Sequence, residues 1–129
     1  MIKIKIKNLI KEEKSGGNPW SGTQGKDYVV KHMSLKDILN NYWIAYKDDI
    51  EQIHANPDHP DRNWAVYPNA IELKNNILKK GYSHEKPIQV YGNKVVDGAH
   101  RINALSLISK DDPSVLDMKL EVHIFNKEQ

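Results

Sequence analysis

One short stretch toward the end of the chain constrains the fold most, because a strand, a tight turn and a helix must follow one another there. Val95 and Val96 are β-branched and favour an extended backbone. Gly98 supplies a turn in which a side chain would obstruct a close ligand. Ile102 and Leu105 then recur at helical spacing. The stretch therefore predicts a strand that turns at a glycine directly into a helix.

The start of this helix carries an unusual excess of positive charge. The first N–H groups of a helix are unpaired and create a partial positive charge. Arg101, and His100 when protonated, add positive charge at the same end. An anion held there would resolve the mismatch, and phosphate is the usual one. The alternative is that both side chains point to water or pair with Asp97.

The length, the composition and the net charge of the chain limit the class of protein. A chain of 129 residues is expected to form one domain, 1–129, with a single core. The absence of cysteine excludes disulfides and thiolate metal sites, and a net charge of +2 is too small to indicate nucleic-acid binding. No apolar run approaches the roughly 18 residues of a membrane span, and the N-terminus lacks the continuous apolar block of a signal peptide. A cytoplasmic location without membrane contact is expected.

The N-terminal segment alternates apolar and basic residues. Ile2, Ile4 and Ile6 predict a half-buried strand, and the lysines between them suit the solvated edge of a sheet. Those lysines could alternatively face a nucleic acid.

A glycine-rich segment, 15–25, then predicts a loop. It could cover a ligand, with the Ser21 and Thr23 hydroxyls reaching phosphate and Trp20 stacking on a base. It could equally be a flexible connector with Trp20 on the core.

The middle of the chain predicts helices. Ser34 is a candidate N-cap, and apolar residues at helical spacing continue to Ile53, which predicts one helix of about five turns with Trp43 and its neighbouring tyrosines in the core. We interpret this helical segment, 34–55, as an insertion. The loop 54–61 contains two prolines and is expected to be a solvated turn and not a zinc site. Pro68 is expected to open the next helix, which ends at a Gly81 cap.

The C-terminal half predicts two strands that form a hairpin, 87–91 and 94–96, then the helix after Gly98, and a last strand over 118–124. This order predicts an α+β fold, with a small mixed β-sheet packed against helices.

The same residues carry a family resemblance. The strand Pro87-Ile88-Gln89-Val90 and the turn Asp97-Gly98-Ala99-His100-Arg101, followed by Ala104, resemble the ParB/sulfiredoxin superfamily. The form of the turn is most similar to that of ParB-like free-serine kinases. The resemblance covers roughly residues 70–125. It implies a ParB/sulfiredoxin-like fold and a nucleotide whose phosphates are held by Gly98, Ala99, His100 and Arg101.

The resemblance also implies chemistry. A kinase or nucleotide hydrolase of this kind would use Mg²⁺ with ATP, ADP or CTP, and Asp97 would hold the metal or accept a proton from the attacking hydroxyl. His100 would be a second catalytic residue, because it can donate a hydrogen bond or steady a leaving phosphate. The nucleotide is thus the expected partner.

The sequence departs from the superfamily pattern in three places. Ala99 occupies the position of sulfiredoxin's cysteine, which excludes sulfiredoxin's own chemistry. The arginine-rich turn of partition proteins is missing, and no helix-turn-helix follows the motif. A DNA-associated ParB-like module, either nuclease or regulatory, remains the alternative. A third hypothesis is a protein-interaction domain without a working turn.

Overall fold

The computed structural model describes residues 2–4 and 27–125. In chain order the elements are β1 (Ile2–Ile4), β2 (Tyr28–Ser34), α1 (Leu35–Asn41), α2 (Lys47–Ala55), α3 (Val66–Lys80), β3 (Ile88–Tyr91), β4 (Lys94–Asp97), α4 (Ala99–Asp111), a 3₁₀ turn (Pro113–Asp117) and β5 (Lys119–Phe125). The predicted glycine-rich loop, 15–25, and the remainder of the predicted first strand lie outside the described residues. None of the described helices is long and apolar enough to cross a membrane.

The described strands form one mixed sheet in the order β1-β2-β5-β3-β4. β5 runs antiparallel to β2 and parallel to β3, and β3 and β4 form the predicted antiparallel hairpin. β1 pairs only with β2, so the first strand lies at an edge as expected. The α+β class and the small mixed sheet packed with helices are confirmed.

α4 is the central helix of the core. Every residue from 102 to 108 is buried, so the helix contacts other elements on all sides. Its Ile102 and Leu105 join the main core between the sheet and α1, where Ile88, Val90 and Val122 cover one sheet face. A second cluster joins α4 to α2 and α3 and contains Ile50, Ile53, Tyr67, Ala70 and Leu107. The N-terminus of α4 is therefore held rigidly against the sheet.

The prediction of one long helix over 34–55 is wrong. Ser34 is the N-cap of α1, and its Oγ accepts from the Asp37 N–H at 3.1 Å, but α1 ends at Asn41. The chain then pairs with the edge of β4: the Trp43 N–H donates to the Asn93 carbonyl at 2.8 Å, and the Val95 N–H donates to the Trp43 carbonyl at 2.9 Å. This pairing interrupts the helical hydrogen bonds, and α2 begins again at Lys47.

The structure differs from the prediction in three further places. The segment that became β2 carried no strand prediction, yet it pairs along its whole length with β5. The placement of Trp43 and Tyr46 in the core is wrong, since they are 61% and 43% exposed. α3 begins at Val66, ahead of Pro68, and Leu78 is exposed. The predicted Gly81 cap of α3 is confirmed.

Candidate functional site

The turn between β4 and α4 has the geometry that the sequence predicts. Gly98 has a left-handed backbone with φ of 106°, and α4 begins at the next residue. The Ile102 N–H donates to the Gly98 carbonyl at 3.0 Å, which closes the first helical turn. Within residues 2–4 and 27–125, no side chain caps this helix start. The first N–H groups of α4 therefore keep the hydrogen-bonding capacity and the partial positive charge of an uncapped helix N-terminus.

Only glycine fits at position 98. A Cβ atom there would lie 2.6 Å from Cδ1 of Ile88 and 3.0 Å from Nη2 of Arg101. Ile88 is fully buried in the core, so its side chain has little room to move. A positive φ adds a steric penalty for any L side chain.

Arg101 lies beside the turn and is anchored by backbone oxygens. Its Nη1 donates to the Lys86 carbonyl, and its Nη2 donates to the Pro87 carbonyl at 3.2 Å. None of the ion pairs between described residues involves Arg101, so the expected alternative of pairing with Asp97 does not occur. Through these hydrogen bonds, the guanidinium links residues 86–87, which precede β3, to α4. It has five N–H donors, and these two bonds and a third to Tyr82 leave others for an anion.

Tyr82 adds a neutral hydroxyl next to this guanidinium. Burial raises the pKa of the Tyr82 hydroxyl, while the charge of Arg101 and its hydrogen bond to that side chain partly oppose the rise. The phenol therefore stays protonated at neutral pH. The positive charge of Arg101 is not neutralised by Tyr82.

Asp97 belongs to a polar row that crosses three strands. It is the register partner of Gln89 on β3, and Gln89 is the register partner of His123 on β5. Cross-strand partners project to the same sheet face. The strand neighbours Ile88 and Val122 belong to the main core, so Gln89 and His123 lie on the opposite face. The register between β3 and β4 shifts between Gln89 and Val90, next to Asp97.

Two members of this row are buried, which sequence reasoning missed. Gln89 is 2% exposed and His123 is 5% exposed. The Nε2 atom of His123 contacts Oε2 of Glu121, and its ring stacks on Tyr28 with centroids 4.4 Å apart. Its buried Nδ1 has no hydrogen-bond partner among the described residues. A buried polar atom without a partner is costly and uncommon in folded proteins.

His100 has a different environment from Asp97. Its side chain is exposed, and its ring lies nearly parallel to the ring of Tyr46, with 6.3 Å between centroids and 18° between planes. Tyr46 in turn meets Trp64 edge to face, with centroids 5.7 Å apart. Sequence reasoning placed His100 at the phosphate turn but did not predict these aromatic neighbours.

The described residues offer limited metal chemistry. No group of three or more His, Asp or Glu side chains is placed to hold a metal ion within residues 2–4 and 27–125. A single carboxylate such as Asp97 nevertheless fits Mg²⁺ that arrives with a nucleotide, because one or two carboxylates plus phosphate oxygens are its usual ligands.

Two cavities lie next to α2 and α3. One of about 410 Å³ is lined by Asp49, Gln52, Ile53, His59, Asp61 and Trp64. Another of about 460 Å³ is lined by Arg62, Tyr67, Pro68, Ile71, Glu72, Asn75 and Asn76. Neither of these cavities is lined by a residue of the turn 97–101. Trp64, which lines the first, contacts Tyr46, and Tyr46 contacts His100.

Comparison of the chain with protein-family models, with curated proteins and with solved structures finds no match.

Proposed function

We propose that this protein is a nucleotide-binding domain of ParB/sulfiredoxin-like fold, and that it holds the phosphates of its nucleotide on the turn 98–101. The uncapped start of α4 directly after Gly98 carries this proposal. A helix N-terminus without a side-chain cap binds anions through its N–H groups and its dipole. Arg101 adds a charge that no described acid neutralises.

The residues of the turn have separate roles in this proposal. The backbone N–H groups of Ala99, His100 and Arg101 bind phosphate oxygens. The guanidinium of Arg101 stabilises the charge on the same phosphates, because its planar fork matches their geometry. Gly98 lets the start of α4 and the Arg101 guanidinium pack closely against β3, since any side chain there would clash with Ile88 and Arg101. The His100 ring donates a hydrogen bond to a leaving phosphate.

We further propose that the reaction is phosphoryl transfer, as in a kinase or nucleotide hydrolase. A hydroxyl or water oxygen forms a bond to the terminal phosphorus as the bridging P–O bond breaks. The leaving nucleotide keeps the electron pair of that bond, and Asp97 accepts the proton of the attacking oxygen or holds Mg²⁺. The place of Asp97, one residue before the turn at the end of β4, supports this role.

Turnover with labelled nucleotide tests the proposal. The purified protein is incubated with ATP, ADP or CTP, with Mg²⁺ and with a panel of hydroxyl acceptors. Asp97→Asn is expected to abolish turnover and to keep nucleotide binding, because only the proton acceptor and metal ligand are lost. The exposed loop residue Asp58 provides a matched control, and Asp58→Asn should keep full turnover.

The outcomes separate the alternatives. Nucleotide binding without turnover for any acceptor would remove the phosphoryl-transfer step. Salt-dependent DNA binding in a gel-shift assay, with no nucleotide binding, would instead support the DNA-associated module. Binding of neither ligand would leave a protein-interaction domain.

A further inference from the structure

Three aromatic side chains form a connected surface beside the start of α4. This aromatic cluster consists of Tyr46, Trp64 and His100. Tyr46 contacts both other rings, and it is 43% exposed while Trp64 is 41% exposed. Large aromatic rings are usually buried, so a connected and exposed set indicates a contact surface for a ligand.

Tyr46 is held in a strained position within the cluster. Its φ is 67°, and it is the only described non-glycine residue with positive φ. The buried side chain of Asn103 on α4 fixes the preceding peptide, since its Nδ2 donates to the Ala45 carbonyl at 2.9 Å. The Ile50 N–H donates to the Tyr46 carbonyl at 2.9 Å. Glycine or asparagine fits this left-handed backbone better than tyrosine does. The tyrosine at this position nevertheless places its ring next to His100.

We propose that Tyr46 and Trp64 of the aromatic cluster stack on the base of the bound nucleotide. Every nucleobase has a π-face, and stacking on aromatic side chains is a general way to bind one. His100 belongs to both sites: its backbone lies in the first turn of α4, and its ring contacts Tyr46. The cavity of about 410 Å³ beyond Trp64 leaves space for the edge of the base. This inference rests on the proposed phosphate site.

A nucleobase is the occupant that the position of the cluster favours. The cluster shares a residue with a turn that is suited to phosphate, so one molecule with a ring and a phosphate chain can fill both. An isolated apolar ligand would leave the N–H groups and guanidinium of the turn unused. Inorganic triphosphate would leave the rings of Tyr46 and Trp64 unused, and it therefore provides the discriminating probe.

Calorimetric titration of the full chain tests the inference. The ligands are ATP, CTP and inorganic triphosphate, and the variants are Trp64→Ala and Trp43→Ala. We expect Trp64→Ala to weaken nucleotide binding by roughly fivefold to a hundredfold, the range of one lost stacking contact, and to leave triphosphate binding unchanged. Trp43 is more exposed than Trp64 but belongs to no ring pair of the cluster, so Trp43→Ala should change neither.

The possible failures are distinguishable. Equal binding of nucleotide and triphosphate to the unmodified protein, or nucleotide binding unaffected by Trp64→Ala, would overturn the stacking site and leave the phosphate site intact. Binding of none of the three ligands would overturn the proposed function itself. Far-UV circular dichroism shows whether each variant is folded.

Fluorescence provides a second measurement that needs no truncation at the cluster. With Trp20 and Trp43 replaced by Phe, Trp64 becomes the single tryptophan. We expect ATP or CTP to quench its emission saturably, because the base stacks against the ring system that includes it. Inorganic triphosphate should cause no quenching. Unchanged emission at saturating nucleotide would contradict the inference.

Discussion

The guanidinium of Arg101 lies over the backbone of Gly98, so that a Cβ atom at Gly98 would come within 3.0 Å of Nη2. The same guanidinium is bound to the carbonyl oxygens of Lys86 and Pro87. The positive charge beside α4 is thus fixed before a ligand arrives. A group that is already ordered loses less entropy on binding, so the turn is preorganised for an anion.

Replacement of Arg101 separates its structural role from its binding role. Arg101→Ala is expected to lower the free energy of unfolding by about 1–3 kcal/mol, because two charge-assisted hydrogen bonds are lost. It should also weaken nucleotide binding about tenfold or more, equivalent to about 1.4 kcal/mol. Urea unfolding and calorimetric titration measure the two effects.

Arg62 is the matched control for that variant. It also donates to backbone carbonyls, those of Ile53, His54 and Asn56, but it lies away from the turn. Arg62→Ala should therefore lower stability by a similar amount and leave nucleotide affinity unchanged. Equal losses of affinity in the two variants would contradict a specific role for Arg101.

Gly81, which follows α3, and Gly98, which precedes α4, make a second matched pair of substitution sites. Gly98→Ala and Gly81→Ala both place a side chain at positive φ, which is expected to cost about 1–3 kcal/mol of stability. Gly98→Ala should cost more than Gly81→Ala, because its Cβ also overlaps the buried Ile88. A Cβ at Gly81 meets nothing within 4 Å, whereas a Cβ at Gly98 displaces Ile88 or Arg101. Only Gly98→Ala should impair nucleotide binding. Loss of affinity in Gly81→Ala, or full affinity in Gly98→Ala, would argue against a close approach at the turn.

The strained backbone of Tyr46 predicts an unusual order of stability. At most positions a glycine is less stable than an alanine. At φ of 67° the alanine has a steric penalty that glycine lacks, so Tyr46→Gly should be more stable than Tyr46→Ala by about 1 kcal/mol. Thermal unfolding of the two variants measures the difference. If alanine is the more stable replacement, the left-handed conformation is wrong.

His54 predicts how stability depends on pH. Burial lowers the pKa of His54 below its ordinary 6.5, and the nearby Lys74 and Arg62 lower it further. The unfolded chain therefore takes up this proton at a higher pH than the folded chain does. The neutral His54 side chain therefore makes its full contribution to the free energy of unfolding above pH 6.5. That contribution is lost as the pH falls from 6.5 through the pKa of His54 in the folded chain.

A His54→Gln variant tests this dependence. Its melting temperature should fall less than that of the unmodified protein between about pH 7.5 and about pH 5. The variant also loses the contact of Nδ1 with the Tyr67 hydroxyl at 2.9 Å, so the slope with pH, and not the absolute stability, is the quantity to compare. If the melting temperatures of the two proteins fall in parallel with pH, His54 does not contribute to the pH dependence of stability.

The turn and its helix were predictable because their signals are local. Val95 and Val96 favour a strand, Gly98 allows the turn, and the periodicity of α4 begins immediately after it. All three preferences agree with the fold. β2 was also within reach of local reasoning, since Tyr28 and the valines after it favour a strand.

Other features depend on contacts between distant parts of the chain. The break between α1 and α2 exists because Trp43 pairs with the edge of β4. The polar row of Asp97, Gln89 and His123 follows from the register of three strands, which periodicity along one strand does not reveal. The aromatic cluster likewise joins residues from three separate segments.

Amide chemical shifts test the central claim most directly, because they report on the N–H groups that are proposed to bind phosphate. A ¹⁵N-labelled sample is titrated with ATP or CTP, with and without Mg²⁺. The account predicts large, saturable shifts of the Ala99, His100 and Arg101 amides, while amides at the far end of α3, such as that of Lys79, stay in place. The account would be contradicted if the chemical shifts of the amides at 99–101 stayed unchanged, either because the nucleotide saturates another site or because it does not bind.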